Sequence, residues 1–288
     1  MAGTLYVVAT PIGNLEDISF RALRTLREVD LIAAEDTRRT SKLLAHYKIQ
    51  RPLVSLREHN EFRETPKLVA RLLGGESIAL VSDAGTPGIA DPGARFVQAT
   101  REAAVRVIPI PGPSAVSAAL SASGLPADQY VFLGFPPPSG SARQQWFDTL
   151  KSERRPIVFF EAPHRIQRTL ESCKVKLVER QIIVFREISK INEESIIYTN
   201  QPVREQGEFV VVVGPAVQDD AQAGADEAIA GLTIAIFGCI TEYVAVERSA
   251  ALEMTARALQ IDPRLVAKIL KKHRYAVKRH SQDASQSP

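Results

Sequence analysis

The fold is decided by the stretch Ile78-Ala79-Leu80-Val81-Ser82-Asp83-Ala84-Gly85-Thr86-Pro87-Gly88, in which four apolar residues run directly into a turn rich in Gly and Pro. Three more short apolar runs, Leu5–Ala9, Leu31–Ala34 and Val105–Ile110, are also followed by turn residues and helix-like patterns. Strands without polar alternation, separated by helices, are typical of a parallel sheet covered on both faces. The sequence therefore predicts an α/β protein whose N-terminal domain, residues 1–112, is built on a parallel sheet.

A second group of strands follows a helix predicted at Ser114–Ser123, which Gly124 ends. The connections between the last three of these strands leave little room for helices, which predicts a mixed, partly antiparallel sheet. We therefore expect a C-terminal α/β domain at residues 113–217. Its predicted strands are Tyr130–Phe135, Ile157–Phe160, Ile182–Glu187, Ser195–Tyr198 and Phe209–Val213.

The composition changes after residue 217. Residues 218–231, rich in Asp, Ala, Gln and Gly, are typical of a linker, and Leu232–Ile240 is an apolar run of strand length. Two helical patterns follow, and Asp262-Pro263 is a typical start for the second of them. We predict a basic helical extension at 232–279, because Lys, Arg and His occur eight times from Arg264 to Arg279 without an acidic residue. The polar residues 280–288 are predicted to be disordered.

The overall composition is that of an ordinary globular protein, with 288 residues of which 45% are hydrophobic and 24% charged. A net charge of only +3 means that any affinity for nucleic acid must come from local basic patches. The two cysteines, Cys173 and Cys239, predict a reducing compartment and no disulfide framework. The sequence shows no signal-peptide pattern and no membrane-spanning run, so we expect a soluble cytoplasmic protein.

Three turns that follow predicted strands of the N-terminal domain form the first candidate site. Ligands of open parallel sheets bind at the carboxyl ends of the strands. Gly residues let a ligand approach the backbone, and Pro residues keep the loop rigid. Each turn alone is typical of a tight connection, but three at one sheet edge favour a ligand site. They are Thr10–Asn14, Ser82–Gly88 and Pro111–Ser114.

Three charged segments also follow predicted strands: Glu35–Lys42, Arg57–Glu61 and the end of Phe159–Arg165. Their carboxylates are able to accept a proton, and their Arg and Lys side chains are able to hold phosphates. The alternative is structural, because Asp36 is equally suited to cap the next helix and a lone His is more often structural than catalytic.

The common nucleotide and hydrolase motifs are incomplete in this sequence. No G-x-G-x-x-G follows the first strand, and neither G-x-x-x-x-G-K-[ST] nor G-x-S-x-G occurs. These absences argue against a dinucleotide-dependent enzyme, a P-loop NTPase and a serine hydrolase of the α/β type.

Five blocks of the sequence resemble the signature blocks of one family, the ribosomal RNA small subunit methyltransferase I group of the tetrapyrrole-methylase (class III) superfamily. The resemblance runs from about Leu5 to Gly214. It implies a homodimer of two α/β domains that holds S-adenosylmethionine in the cleft between them. It also implies 2′-O-methylation of a cytidine in the decoding region of 16S rRNA. The blocks are Val7–Leu15, Ala34–Arg38, Leu80–Gly93, Pro111–Ala115 and Phe160–Arg165.

The resemblance further implies which residues bind the cofactor. In the superfamily, the loop matching Ser82–Gly88 and the segment matching Pro111–Ala115 contact S-adenosylmethionine, and the turn matching Pro11–Asn14 lies at the cleft. The matching positions in this sequence are Pro11, Gly13, Asn14, Ser82, Asp83, Ala84, Gly85, Pro87, Gly88, Pro111, Gly112, Ser114 and Ala115.

Methyl transfer to a ribose hydroxyl needs a proton acceptor but no metal, because the sulfonium methyl is already activated. Our hypothesis is that Glu35 or Asp36 assists deprotonation, with His59, Glu161 and His164 as reserve candidates. The basic side chains expected to bind RNA are Arg38, Arg39 and Lys42, together with Lys268, Lys271, Lys272 and Arg274 of the C-terminal helix. The resemblance implies that the substrate is 16S rRNA or the small ribosomal subunit.

Two alternatives remain open from the sequence. One is a methylase of a small tetrapyrrole-type molecule that uses the same cofactor cleft. The other is a non-catalytic nucleic-acid-binding regulator that uses the C-terminal helix pair as a helix-turn-helix.

Overall fold

The computed structural model describes residues 2–216, 220–244 and 246–271. The chain divides into two compact units after Ala216. The first unit contains both sheets, so the boundary predicted at residue 217 lies beside this division, whereas the boundary predicted at residue 112 lies inside the first unit.

The first sheet has five strands in the order β3-β2-β4-β1-β5, and every neighbouring pair is parallel. Two of its three inner strands, β2 and β4, are buried along their whole length, as strands without polar alternation require. The prediction of a parallel N-terminal sheet is confirmed. The strands are β1 (Thr4–Val8), β2 (Leu31–Ala34), β3 (Leu53–Ser55), β4 (Ile78–Val81) and β5 (Arg106–Ile110).

Helices cover both faces of this sheet. On one face Leu26 and Leu44 pack against Ile32, and on the other Leu72 and Phe96 belong to the cluster around Leu80. The carboxyl ends of all five strands are thereby left at one open edge of the sheet. The helices are α1 (Phe20–Glu28), α2 (Thr37–His46), α3 (Glu61–Leu73) and α4 (Ala94–Glu102).

The second sheet is mixed, as predicted. Its order is β6-β7-β10-β8-β9; the β6–β7 pair is parallel and the other three pairs are antiparallel. Helix α5 covers one face, and helices α6 and α7 cover the other. The elements are α5 (Ala115–Ser123), β6 (Val131–Phe132), α6 (Gly140–Ser152), β7 (Ile157–Glu161), α7 (Ile166–Lys176), β8 (Ile182–Arg186), β9 (Glu194–Ile197) and β10 (Phe209–Val213).

The second unit corrects the sequence analysis. Asp220–Tyr243 form one helix, α8, so the predicted linker is wrong from residue 220 onward. Leu232–Ile240, an apolar run of strand length within the predicted helical extension, is part of this helix. Short apolar runs do not distinguish a strand from a buried helix, and here the Ala-rich flanks extend the helix despite its Gly residues. Helix α9 (Arg248–Leu259) follows, and a further helical segment covers 263–271.

No described helix is long and apolar enough to cross a membrane. Lys272, Arg274 and the predicted tail at 280–288 lie outside the described residues.

Arg180 is the main polar link at the base of the second sheet. Its guanidinium is buried and donates to the carbonyl oxygens of Leu150, Glu153, Arg155 and Gly214, at 2.7 to 3.1 Å. It therefore joins the end of α6 to the end of β10.

Replacing Arg180 with Met keeps much of the volume but removes every donor. We expect Arg180→Met to lower the free energy of unfolding by about 3 kcal/mol, because buried carbonyl groups lose their partners. Urea denaturation measures this, with Arg168→Met on the exposed face of α7 as the matched control. A loss below about 1 kcal/mol would show that water replaces the guanidinium.

Candidate active site

The three turns predicted to form a ligand site meet at the open edge of the first sheet. Strand β1 lies between β4 and β5, so the turns that follow these strands are neighbours. The backbone N–H of Thr10 donates to Gly85 O at 2.9 Å, and the Gly85 N–H donates to Thr10 O at 3.0 Å. The Thr86 hydroxyl donates to Pro113 O at 3.4 Å, which links the turn after β4 to the turn after β5.

A cavity of about 370 Å³ opens beside these turns, between the first sheet and the second. Its walls are largely apolar, and the few polar groups that line it include Asp91 and Glu208. We call it the first cavity. It is lined by Ile12, Ala84, Gly85, Thr86, Ile89, Ala90, Asp91, Ser114, Ala115, Val116, Phe135, Phe160, Glu161, Ala162, Pro163, Gly207, Glu208, Phe209 and Val210.

A second cavity of about 360 Å³ adjoins the first and shares Ile12, Ala84 and Glu208 with it. Three cationic side chains line it, which gives it a different chemical character. The lining residues are Thr10, Pro11, Ile12, Gly13, Leu15, Arg39, Thr40, Lys42, Leu43, Ser82, Asp83, Ala84, Lys190 and Glu208.

Asp91 is one of three carboxyl groups that line the first cavity, with Glu161 and Glu208. Burial, and next the charge of Glu35, raise the pKa of Asp91 from its ordinary value of 3.8 to about 6. A carboxyl group with such a pKa exchanges its proton close to neutral pH, as a general base must. Asp91 lies within the block Leu80–Gly93 but was not among the residues predicted for the site.

Glu35 and Asp36 lie at the end of β2, beside the turn after β4. The Glu35 Oε2 atom accepts from the Asp83 N–H at 3.2 Å, and the Asp83 Oδ1 atom accepts from the Asp36 N–H at 2.9 Å. Asp83 also pairs with Arg39, with Nη1 and Oδ2 3.2 Å apart. Neither Glu35 nor Asp36 lines either of the two cavities.

Asp36 is the N-cap of α2, which is the structural role that the sequence had left open for it. Its Oδ1 atom accepts from the Arg38 N–H at 2.8 Å, and Arg57 Nη2 lies 3.5 Å from Oδ2. The hydrogen bonds from the Arg38 side chain and backbone lower the pKa of Asp36 to about 2. An ion-paired carboxylate with this pKa is a weak proton acceptor.

The reserve candidates are placed less favourably. The Glu161 side chain is fully buried, and its carboxylate is held by Arg165 at 2.6 Å and by the Thr169 hydroxyl at 2.6 Å. It therefore anchors the wall of the first cavity. His59 and His164 are exposed and line neither cavity.

The other predicted residues divide between the cavities and the framework around them. Asn14 caps a 3-10 turn, and its Oδ1 atom accepts from the Glu16 N–H at 3.0 Å. Gly112 packs on Ala9, where an added Cβ would lie 3.0 Å from the Ala9 Cβ. Among the predicted cofactor-binding and RNA-binding residues of the first unit, those that line neither cavity are Asn14, Pro87, Gly88, Pro111, Gly112 and Arg38. Lys268 and Lys271 are exposed on the helical segment of the second unit.

Several cavity residues had no signal in the sequence. Lys190 and Glu208 come from the second sheet, and their approach to the turns of the first depends on how the two sheets pack. Phe135 and Phe160, whose ring centroids are 5.4 Å apart, lie in predicted strands, and nothing in the sequence indicated that their rings line a cavity.

A family model and named relatives both show that this chain is similar to methylases. The family model described as Tetrapyrrole (Corrin/Porphyrin) Methylases matches residues 4–201. The ribosomal RNA small subunit methyltransferase I of Synechocystis sp. is 47% identical over 234 residues, covering 78% of this chain and 84% of the relative. The protein of the same name from Haemophilus influenzae is 41% identical over 263 residues, covering 88% and 91%.

Among solved structures, the crystal structure of diphthine synthase superposes with a TM-score of 0.58 at 14% identity, covering 74% of this chain and 90% of that one. At this identity the similarity concerns the fold alone.

The raised pKa of Asp91 predicts a pH-dependent stability. Between about pH 4 and 6 the folded protein keeps a proton that the unfolded chain has lost, so this group's contribution to stability falls as pH rises. Above pH 6 the folded state holds an unfavourable charge. We expect Asp91→Asn to raise the free energy of unfolding by on the order of 1–2 kcal/mol at pH 7.5, after allowance for solvent screening, and to change it little at pH 4.

Chemical denaturation at the two pH values tests this, with Asp128→Asn in an exposed loop as the control. An equal gain at both pH values would mean that the charge of Asp91 is not its cause.

Proposed function

The chain belongs to the tetrapyrrole methylase family, and within it to the ribosomal RNA small subunit methyltransferase I family; from this membership we propose that it transfers a methyl group from S-adenosylmethionine to the 2′-hydroxyl of a cytidine ribose in the decoding region of 16S rRNA. The observation that carries the proposal is the sequence identity of 41–47% to proteins named ribosomal RNA small subunit methyltransferase I, over most of this chain and of each relative. The paired cavities support it independently, because a methyl transfer between two substrates needs two adjoining sites.

The first cavity suits S-adenosylmethionine by the chemistry of its lining. Its volume lies within the usual range for small-molecule sites, and the apolar walls formed by Ile12, Phe160 and their neighbours suit an adenine ring and a thioether. Ser114 and Ala115 bring the N-terminus of α5 to the cavity, which favours a carboxylate. The carboxylate of Asp91 favours the cationic groups of the same molecule. When bound, S-adenosylmethionine supplies a methyl group that its sulfonium already activates.

The second cavity is proposed to receive the RNA phosphates, with the target ribose at the boundary with the first cavity, which Asp91 lines. Arg39 and Lys42 lie three residues apart on α2, so both face the cavity from one side of that helix. Arg38 is more exposed and pairs with Asp36, which supports a contact farther along the RNA. Lys268, Lys271, Lys272 and Arg274 are proposed as an additional RNA contact through their positive charge.

Asp91 replaces Asp36 as our preferred proton acceptor. In this scheme the Asp91 carboxylate would accept the proton of the ribose hydroxyl while the oxygen–methyl bond forms and the sulfur–methyl bond breaks, and the sulfur would leave as a neutral thioether. Glu35 takes a supporting role, because its charge helps to keep the pKa of Asp91 near 6.

We also propose that the protein is cytoplasmic and acts as a homodimer. Large exposed apolar side chains such as Phe20 and Val175 offer surface for a second copy. The two alternatives raised by the sequence, a tetrapyrrole-type substrate and a non-catalytic regulator, have no specific observation in their favour.

The proposed function is tested by titrating the protein with S-adenosylmethionine by calorimetry and then measuring transfer of labelled methyl to small ribosomal subunits from a strain without this modification. Naked 16S rRNA is assayed in parallel. We expect binding and incorporation at one cytidine ribose. If S-adenosylmethionine binds but no methyl group is incorporated into either RNA, the proposed substrate is wrong. If S-adenosylmethionine does not bind, the proposed class of enzyme is wrong.

The proton acceptor predicts a pH profile. Since Asp91 must be ionised, kcat should rise with pH through about 6. We expect Asp91→Asn to lower kcat by about 10²-fold or more, and Glu35→Gln to shift the acidic limb to lower pH because a repelling charge is removed. Asp36→Asn should leave that limb in place. A limb that persists in Asp91→Asn would assign the titration to another group.

A further inference from the structure

The 187–193 loop, which follows β8, has an unusual backbone. Glu187 and Ser189 have positive φ angles of 54° and 68°, a region that residues with side chains seldom adopt. Hydrogen bonds hold this shape: the Glu187 N–H donates to Glu208 O at 2.9 Å, and the Ser189 N–H donates to Glu193 Oε2 at 2.7 Å. Strained backbone of this kind persists where the surroundings enforce it, often at functional sites.

The loop serves to present Lys190. The stem of Lys190 lies directly on Gly13, so a Cβ at position 13 would collide with the Lys190 Cγ atom. Gly207 leaves room for Glu187 in the same way: its φ is +90°, and an added Cβ would lie 2.6 Å from the Glu187 Cγ atom. Two residues without side chains are therefore needed to seat Lys190 and the carboxylate beside it.

The two carboxylates that hold Lys190 are not equivalent. Its Nζ atom lies 2.7 Å from Glu187 Oε1 and 3.1 Å from Glu208 Oε2. The Glu187 side chain is 17% exposed, and its Oε1 atom also accepts from the Glu208 N–H at 2.8 Å. The Glu208 side chain is 74% exposed, so its carboxylate is free to leave. Glu187 is the fixed partner and Glu208 the replaceable one.

Lys190 is placed and charged for binding an anion. Burial lowers its pKa, but the hydrogen bonds with Glu187 and Glu208 outweigh burial and raise the pKa above its ordinary value. The side chain therefore stays cationic and does not serve as a base. It lines the second cavity opposite Arg39 and Lys42, and Glu208 lines both cavities.

We propose that Lys190 binds the RNA phosphate next to the target ribose, and that this phosphate takes the place of Glu208, the resting counter-ion of the lysine. The inference rests on the proposed function, because that function brings RNA to the second cavity. Exchange of one anion for another keeps the lysine neutralised throughout. It also moves Glu208 away from the boundary between the cavities as the acceptor arrives.

The test compares Lys190→Gln and Glu208→Gln. The probe is small ribosomal subunits lacking the modification, and affinity is measured by filter binding over a range of KCl concentrations. Lys190→Gln should weaken binding about fivefold to tenfold and reduce the slope of log affinity against log salt by roughly 0.7–1, as expected for one lost phosphate contact. Glu208→Gln should strengthen binding about threefold, because the phosphate no longer competes with a carboxylate.

The opposite signs separate this role from a structural one, since loss of a merely stabilising ion pair would affect both variants alike. Lys190→Arg keeps the charge and should keep the salt slope, which guards against misfolding of the Gln variant. Arg204→Gln, an exposed cation between β9 and β10 outside both cavities, is the control and should change affinity less than twofold. Calorimetry should show unchanged affinity for S-adenosylmethionine in Lys190→Gln, Lys190→Arg and Arg204→Gln, whose altered side chains do not line the first cavity.

An unchanged salt slope in Lys190→Gln, or weaker binding in Glu208→Gln, would overturn the inference while methylation by the wild type upheld the proposed function. Weaker binding of S-adenosylmethionine by Lys190→Gln would assign the lysine to the cofactor instead. If the wild type neither bound nor methylated subunits, both the function and the inference would fall.

Discussion

The reciprocal hydrogen bonds between Thr10 and Gly85 tie the turn after β1 to the turn after β4, and the geometry of both cavities follows from this bridge. Thr10 is buried, and its hydroxyl donates to Ser82 O, so the bridge is closed off from water. Gly85 at a φ of +76° supplies the backbone shape that such a tight junction needs. Because the turns are fixed to one another, Ile12 and Ala84 become a common wall that both cavities share.

The two cavities on either side of this wall differ in charge. The first has carboxyl groups, apolar surface and, among the described residues that line it, no cationic side chain, which suits a small cationic molecule. The second has three cationic side chains, Arg39, Lys42 and Lys190, against two carboxylates, Asp83 and Glu208, and therefore suits an anion better than the first does. The charges of the two cavities therefore direct a cationic ligand to the first and an anionic ligand to the second before any specific contact forms. In the wrong cavity, each ligand would be repelled or would lack a counter-charge.

The sequence predicted the parts of the fold that depend on local pattern. Buried strands such as Ile78–Val81 read as continuous apolar runs, and the parallel and mixed sheets followed from the lengths of their connections. It failed at Asp220–Tyr243, where Gly and Ala residues suggested a linker although the helix continues through them. The site was predicted where a turn follows a strand, as at Ser82–Gly88, but not where tertiary packing supplies the residue. The pKa of Asp91 is raised by burial and next by the charge of Glu35, and both depend on the tertiary fold. Lys190 reaches the site only because the second sheet packs against the first.

The contact between Gly13 and the stem of Lys190 joins two positions that are far apart in the chain and belong to different sheets. The constraint runs in one direction: a side chain at position 13 would displace the lysine stem, whereas a smaller residue at position 190 leaves the glycine undisturbed. Position 13 therefore has to stay glycine for as long as a long side chain at position 190 lies on it. A chimaeric protein that takes one of the two sheets from a distant relative would assemble this contact only if its residue at position 13 leaves room for its residue at position 190.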